Sequence, residues 1–210
     1  AGDGALSTTN SFLLSISAVN DQPAFTLSTN LVLAAEDAGF VTNASFLTGI
    51  STGPTNEAGQ GYSFTVTSGT NFGYVFRPTI TTNGTLIFKT ATNAIGTNLI
   101  TVVMKDTGGV TGGGKDSVTN TFSIGITPVN DAPYFAGLTS RTILEDVTTN
   151  TVVITMIDTD TASSNLTLTA TTSDTNIVTV AITATNAVSA TNTSFTLAFT
   201  PQTNAFGGVS

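Results

Sequence analysis

The sequence predicts an all-β protein built from β-sandwich domains, and three observations carry this prediction. Apolar residues alternate with small or polar ones over five to seven residues, which is typical of strands buried on one face. Turn signals rich in Gly and Asn separate these stretches. Thr, a β-branched residue that favours strands, is abundant, and no stretch shows apolar residues at helical spacing over three turns.

The predicted strands can be placed in order along the chain. The alternating stretches run from Phe12 to Ile16, Tyr62 to Val66, Leu86 to Phe88, Ile100 to Met104, Phe122 to Ile126, Leu166 to Ala170 and Phe195 to Phe199. Asn83-Gly84 and Gly108-Gly109 are turn signals between them. About seven short strands in a unit of about 110 residues are typical of an immunoglobulin-like sandwich of two sheets.

The composition excludes several classes of function. The chain has 210 residues and no His, Cys or Trp, which excludes Ser-His-Asp catalysis, thiolate and imidazole metal sites, and disulfides. Its 13 acidic and 5 basic residues give a formal net charge of −8, so we expect no nucleic-acid partner. The sequence contains no run of about 18 apolar residues, so it predicts no membrane-spanning helix. Few charges with abundant Thr and Asn favour a secreted, cell-surface protein.

The chain contains an internal repeat of about 110 residues. The stretch from Ser11 to Pro23 returns 110 positions later, from Thr121 to Pro133. Glu36-Asp37 returns as Glu145-Asp146 after 109 positions, and residues 92–96 return as 203–207 after 111. Three landmarks in one order and at nearly constant spacing indicate a tandem array.

Two copies of one motif resemble the linkers between bacterial cadherin-like and tandem immunoglobulin-like repeats. They are Val19-Asn20-Asp21-Gln22-Pro23 and Val129-Asn130-Asp131-Ala132-Pro133. With the stretches from Ile50 to Gln60, Asn83 to Leu86 and Lys105 to Gly109, they resemble that family over essentially the whole chain. The resemblance implies tandem cadherin- and immunoglobulin-like Greek-key β-sandwich domains of large surface proteins and adhesins.

The register of the repeat implies where the domains begin and end. Residues 1–20 are expected to be the last strand of a preceding domain, residues 21–131 a complete domain, and residues 132–210 a domain without its final strands. Either neighbouring repeats of the same protein supply the missing strands, or separate copies join head to tail by strand complementation. No counterpart of the stretch from Ile100 to Met104 exists in the last unit, which favours the continuous array.

The acidic residues concentrate at the linkers and in loops between predicted strands. The second junction gathers Asn130, Asp131, Glu145, Asp146, Asp158 and Asp160, with Asp106 from the domain before. The first junction gathers Asn20, Asp21 and Glu36, with Asp3 at the place equivalent to Asp106. Like charges at one end of a sandwich repel unless a cation compensates them, and Ca²⁺ takes six to eight oxygen ligands. The sequence therefore predicts calcium at the junctions; a solvated acidic loop is the alternative.

Two departures from the cadherin pattern bear on this prediction. Cadherin linkers usually carry a further Asp two residues before the Asn, where this chain has Pro128 and Ala18. The first unit also has no clear equivalent of Asp158-Thr159-Asp160, unless Glu57 substitutes for it.

Paired carboxylates also occur in glycosidases, but such sites need a sugar cleft, usually lined by aromatic residues. Because the chain has no Trp and its acids lie at predicted domain ends, the sequence predicts that it is not an enzyme. We expect a structural extracellular repeat that forms a rod, fibre or adhesin stalk and is made rigid by calcium. A carbohydrate- or protein-binding adhesin module is the alternative.

Overall fold

The computed structural model describes residues 4, 9–69, 73–148 and 150–210, and this part of the chain is all-β, as predicted. Its strands are β1 Ala24–Leu27, β2 Leu31–Ala35, β3 Phe40–Asn43, β4 Leu47–Ser51, β5 Tyr62–Ser68, β6 Tyr74–Ile80, β7 Leu86–Thr90, β8 Gly96–Asp106, β9 Ser117–Thr127, β10 Tyr134–Ala136, β11 Asn150–Ile157, β12 Val178–Ala187 and β13 Asn192–Pro201. Three-residue 3-10 helices lie at Thr55–Glu57, Thr111–Gly113 and Ser163–Asn165. Within the described ranges no helix is long and apolar enough to cross a membrane.

The chain divides into two compact units. Unit 1 consists of Ala1–Ala34, Ala38–Thr90 and Gly96–Gly125, and unit 2 of Ala35–Asp37, Ala91–Ile95 and Ile126–Ser210. Short pieces after β2 and β7 therefore belong to unit 2 together with the second half of the chain.

Unit 1 is built from three sheets with apolar faces. Their strand orders are β2-β9-β8-β5, β3-β7-β6 and β1-β4. The ring of Phe122 on β9 lies 4.6 Å from that of Phe46, just before β4, and the rings of Phe25 and Phe64 are 5.7 Å apart. Since these contacts join the largest sheet to the β1-β4 sheet, unit 1 buries a core between sheets, which is consistent with a β-sandwich.

The predicted turn between β6 and β7 depends on a glycine. Gly84 has a φ of +81°, and a Cβ added there would lie 2.5 Å from the carbonyl oxygen of Leu47. Leu47 donates its N–H to the carbonyl of Gly84 at 2.9 Å, so the turn is held against the start of β4. Only glycine has both the conformational freedom and the space for this approach.

Unit 2 contains one four-stranded sheet with the order β10-β11-β13-β12. Its core consists of Ile154, Met156, Leu166, Phe195 and Leu197. The strand predicted from Leu166 to Ala170 is wrong, because the structure assigns no strand there, although Leu166 is buried. In unit 1, β5 also follows a three-residue 3-10 helix, and it pairs along its whole length with β8. Among the described residues of unit 2 no strand pairs with residues 166–170 in this way, so the segment packs its apolar side chains on the core without joining a sheet.

The strand predicted from Phe12 to Ile16 is also absent. Residues 9–20 have no strand assignment, and Phe12 and Ile16 are 88% and 87% exposed. Alternation gives a segment one apolar face but supplies no partner for its backbone, and here no described strand pairs with it.

Two features of the repeat reappear in the backbone. Asp37 and Asp146, the second residues of the repeated Glu-Asp pair, have φ values of 55° and 61°. Asn93 and Asn204, also equivalent, both have a φ of 58°. Left-handed backbone is uncommon for residues other than glycine, so its recurrence at equivalent positions supports the internal repeat.

Candidate metal centres

The linker residue Asn20 connects several polar side chains at one end of unit 1. We name this group the Asn20 cluster; its members are Asn20, Asp21, Glu57, Gln60 and Asp106. The Asn20 amide donates to Oδ1 of Asp106 at 3.1 Å and to the carbonyl of Lys115 at 2.8 Å. Its Oδ1 accepts a hydrogen bond from Nε2 of Gln60 at 2.8 Å. One amide side chain therefore ties the linker to two loops of the unit.

Two carboxylates of the Asn20 cluster are buried and only partly satisfied. Glu57 and Asp106 are 5% and 4% exposed. Oε1 of Glu57 accepts the backbone N–H of Asp21 at 3.0 Å, and Oδ1 of Asp106 accepts that of Gly108 at 2.9 Å. The second oxygen of each carboxylate and Oε1 of Gln60 are buried without a hydrogen-bond partner. Buried oxygens of this kind cost free energy unless a donor or a cation pairs with them.

Local structure explains why these side chains are held in place. Glu57 ends the 3-10 helix Thr55–Glu57, and its carbonyl accepts bonds from the hydroxyl of Thr52 and the N–H of Gln60, both at 2.9 Å. A Cβ added at Gly108 would overlap Oδ1 of Asn20, and one added at Gly53 would overlap Oε2 of Glu57. Glycine at both positions lets the backbone approach the cluster closely enough to enclose its oxygens.

A second acidic group lies within unit 2, and we name it the Asp131 cluster: Glu36, Asp37, Asp131, Asp158 and Asp160. The N–H of Asp131 donates to Oδ2 of Asp160 at 2.8 Å. Oδ1 of Asp158 accepts the N–H groups of Asp160 and Thr161, each at 2.9 Å. Oε1 of Glu36 accepts the N–H of Val129 at 2.8 Å, whereas its Oε2 is buried without a partner.

Electrostatics distinguish two carboxylates of the Asp131 cluster. Desolvation, followed by the negative charges of Asp160, Asp37, Glu36 and Asp158, raises the pKa of Asp131 above its usual value. Asp158 has a lowered pKa, chiefly because its carboxylate accepts the N–H of Asp160. Like charges therefore disfavour ionisation of Asp131, and a cation would relieve their repulsion.

The structure places the predicted metal residues in a partly different arrangement. It brings Asp131, Asp158 and Asp160 together, and Asn130 adjoins them through a bond from its amide to the carbonyl of Asp131 at 2.9 Å. It also brings Asn20, Asp21 and Asp106 into one cluster. Asp3 lies outside the described residues.

The structure places four of the predicted residues apart from the group in which the sequence analysis put them. Glu36, predicted at the first junction, instead holds Val129 in the second linker, because the end of β2 lies beside the end of β9, where the N–H of Glu36 bonds to the carbonyl of Thr127. Glu145 lines a groove of unit 2, and Asp146 is exposed in a turn. Neither is among the charges that act on Asp131. Asp106, placed at the second junction in the sequence analysis, belongs to the Asn20 cluster.

Sequence reasoning missed Gln60 and treated Glu57 only as a substitute. Glu57 ends a 3-10 helix and Gln60 lies in the loop after it, with no regular spacing to mark either residue; what distinguishes them is their hydrogen bonding to the linker. Among the described residues, no three acidic side chains form a ready metal site. An ion in either cluster would therefore depend on amide or backbone oxygens as well as carboxylates, as calcium sites commonly do.

No protein-family model and no curated protein matches the chain. Among solved structures, an endo-fucoidan hydrolase from glycoside hydrolase family 107 matches 90% of this chain with 13% identity and a TM-score of 0.37. The match spans 28% of the hydrolase chain. This likeness contradicts the prediction that the chain is not an enzyme, and that prediction is withdrawn. At this TM-score the likeness assigns no activity to the chain.

Proposed function

We propose that the chain is part of a tandem array of cadherin- and immunoglobulin-like Greek-key sandwiches on the cell exterior, where it forms a rod or stalk. Each linker of the Val-Asn-Asp-X-Pro type takes Ca²⁺ through the acidic cluster beside it. The bound ion stiffens the linker, since a cation shared by several oxygens restrains the segments that carry them.

One observation carries the proposal: the linker residues Asn20 and Asp21 donate hydrogen bonds to two buried carboxylates, those of Asp106 and Glu57, and each carboxylate has an unpartnered oxygen. Carboxylate and amide oxygens are the ligands that calcium prefers, and the chain has no His or Cys that would favour a softer metal. Extracellular calcium modules bind in the range of about 10⁻⁴–10⁻³ M, which matches the proposed location.

The Asp131 cluster supports the same function at the second linker. The carboxylates of Asp160, Asp37, Glu36 and Asp158 act on Asp131. Among the described residues the one ion pair joins Lys105 to Asp116 at 3.2 Å in unit 1, so no basic side chain forms an ion pair with this cluster. A divalent cation near Asp131, Asp158 and Asp160 would compensate this charge. In the proposal each cluster is an independent site within its own unit.

Thermal unfolding with and without calcium tests the proposal. A ligand that binds the folded state alone stabilises it by about 2.7 kcal/mol at a hundredfold excess over Kd. We expect the chain to melt at a higher temperature, and to resist protease longer, in millimolar calcium than in chelator. Asp131→Ala should remove much of the increase, whereas Asp174→Ala, a matched carboxylate outside both clusters, should leave it intact. Identical melting curves in the two buffers would refute calcium binding.

A further inference from the structure

The β3-β7-β6 sheet of unit 1 has a buried face and an open face. On its central strand β7, the side chains of Leu86, Phe88 and Thr90 are buried, whereas Ile87 and Lys89 between them are partly exposed. Because successive side chains of a strand point to opposite faces of the sheet, Ile87 and Lys89 lie on the open face. The residues that pair with these two therefore show what the open face presents to solvent.

Two phenylalanines flank Lys89 on the open face. Phe40 of β3 and Phe76 of β6 both pair with Lys89 in the strand register, one from each side. Their ring centres are 5.5 Å apart, and the rings are 62% and 41% exposed. Nζ of Lys89 lies 5.8 Å from the centre of the Phe40 ring, within the range of a cation–π interaction. The three side chains form one row across the sheet, with Lys89 on the middle strand.

A second row, which carries hydroxyl groups, lies beside the first. Thr42 of β3 and Thr79 of β6 both pair with Ile87, and both threonines are exposed. We name the two rows together the β7 platform; its members are Phe40, Thr42, Phe76, Thr79, Ile87 and Lys89. The platform combines two exposed aromatic rings, two hydroxyl groups and a positive charge on a surface of extended strands.

The charge of this sheet differs from that of the whole chain. The chain has 13 acidic and 5 basic residues, yet β3, β6 and β7 contain no Asp or Glu and two of the basic residues, Arg77 and Lys89. Within the part of the chain that the structure describes, the ion pair found joins Lys105 to Asp116, and no carboxylate pairs with Lys89. Charges further away than about 8 Å are largely screened at physiological ionic strength. An anion at the β7 platform therefore meets the local positive charges rather than the net charge of −8.

We propose that the β7 platform binds an anionic oligosaccharide, one whose sugar rings carry sulfate or carboxylate groups. The apolar C–H face of a sugar ring packs on the exposed phenylalanine rings, and the ammonium group of Lys89 pairs with the acidic substituent. The threonine hydroxyls donate to and accept from the sugar hydroxyl groups. A neutral sugar would leave the cation unused, and a small inorganic anion would leave the rings unused, so the combination selects an acidic sugar.

The sheet also disfavours a peptide that binds by strand addition. The backbone of β7 pairs with β3 on one side and with β6 on the other, so the platform offers side chains rather than free backbone groups. None of its residues belongs to the Asn20 cluster or the Asp131 cluster. The surface therefore adds a binding function to the proposed rod, and this function is independent of calcium.

Fluorescence anisotropy with a labelled probe, at physiological ionic strength, tests the proposal. The probe is a short sulfated dextran oligosaccharide, and the unsulfated oligosaccharide of the same length is its matched control. One variant carries Phe40→Ala and Phe76→Ala, and another carries Lys89→Gln. Leu99→Ala, at a 61% exposed position of β8, and Lys105→Gln, whose side chain is 63% exposed, are the control variants. Equal melting temperatures would establish that all variants fold.

We expect the wild type to bind the sulfated probe saturably and at least about tenfold more tightly than the unsulfated one, since a charge-assisted hydrogen bond is worth about 1.5–3 kcal/mol. Lys89→Gln should lose about tenfold in affinity for the sulfated probe for the same reason. The double phenylalanine variant should lose as much because the sugar ring has no aromatic surface to pack on. Both control variants should bind like the wild type, and binding should be equal in calcium and in chelator.

Several results would overturn the proposal. The absence of saturable binding up to millimolar probe, or equal affinity for the two probes, would refute recognition of an acidic sugar. Equal losses in Lys105→Gln and Lys89→Gln would attribute binding to net charge rather than to the β7 platform. Binding to phosphatidylserine vesicles without binding to the sulfated probe would assign the surface to lipid instead. If the double phenylalanine variant melts at a lower temperature, Lys89→Gln, which keeps both rings, decides the outcome.

Discussion

At the scale of single residues, Asp131 and Asp158 of the Asp131 cluster contribute to stability with opposite signs, because folding shifts their pKa values in opposite directions. The pKa of Asp131 is raised on folding, so ionising it disfavours the folded state near neutral pH, and this cost is relieved as pH falls through its folded pKa. The pKa of Asp158 is lowered, so its stabilising contribution is present above its unfolded pKa and is lost as pH falls through its folded pKa.

These signs predict opposite effects of two substitutions in chelator at neutral pH. Asp131→Asn should raise the melting temperature because it removes one of several like charges. Asp158→Ala should lower it because the N–H groups of Asp160 and Thr161 lose their acceptor. In calcium the sign for Asp131→Asn should reverse, since a ligand is lost. Asp174→Asn serves as the control in scanning calorimetry, and a lower melting temperature for Asp131→Asn in chelator would contradict the account.

The two linker asparagines allow a second, matched comparison. The amide of Asn20 connects Asp106, Gln60 and Lys115, whereas within the part of the chain that the structure describes the amide of Asn130 bonds to the neighbouring carbonyl of Asp131 alone. Asn20→Ala should cost about 1–3 kcal/mol of unfolding free energy because it leaves buried groups unpaired. Asn130→Ala should change it by less than about 0.5 kcal/mol. Urea unfolding in chelator measures both, and equal losses would refute the connecting role of Asn20.

The sequence identified the polar residues of the linkers but not the side chains that form hydrogen bonds with them. Asn20 and Asp131 follow from the repeated linker motif, and Asp158 and Asp160 follow from carboxylate chemistry. Gln60 depends on a close approach of two loops that glycine permits at Gly108, and no local pattern encodes such a long-range contact. Glu36 lies beside the second linker because the pairing of β2 with β9 brings the end of β2 next to Val129, and the sequence alone does not show which strands pair.

At the scale of elements, the structure separates strand pattern from strand formation. The alternation around Phe64, Phe122 and Phe195 predicted β5, β9 and β13 correctly. The same alternation near Phe12 and Leu166 did not produce strands, because a strand exists only where a neighbour accepts its backbone hydrogen bonds. Periodicity therefore predicts which face is apolar, and pairing decides whether the segment becomes part of a sheet.

Substitution of two phenylalanines that are equivalent in the repeat, Phe122 and Phe12, tests the difference between a paired and an unpaired segment. Phe122→Ala should destabilise unit 1 by about 3–5 kcal/mol, since the ring is 2% exposed and packs on Phe46. Phe12→Ala should leave the unfolding free energy of the monomer within about 0.5 kcal/mol of the wild type. Urea unfolding at submicromolar concentration compares them. A large loss for Phe12→Ala under these conditions would mean that segment 11–19 already packs within its own chain.

At the scale of the whole molecule, the repeat relates the two proposed calcium sites. Each linker motif stands beside an acidic cluster, and the strand pattern that precedes the first linker recurs as β9 before the second. In the proposed tandem array, a bound ion would restrain the linker beside each cluster. The account therefore depends on whether calcium binds.

Equilibrium dialysis of the 210-residue chain against millimolar calcium, with magnesium as competitor, tests this most directly. The account predicts calcium bound at two sites that can be removed separately. Glu57→Gln with Asp106→Asn should abolish binding in unit 1, and Asp131→Ala with Asp160→Ala should abolish binding in unit 2. Asp174→Ala should retain both. Bound calcium that does not exceed the free concentration, or that is unchanged in both double variants, would contradict the account.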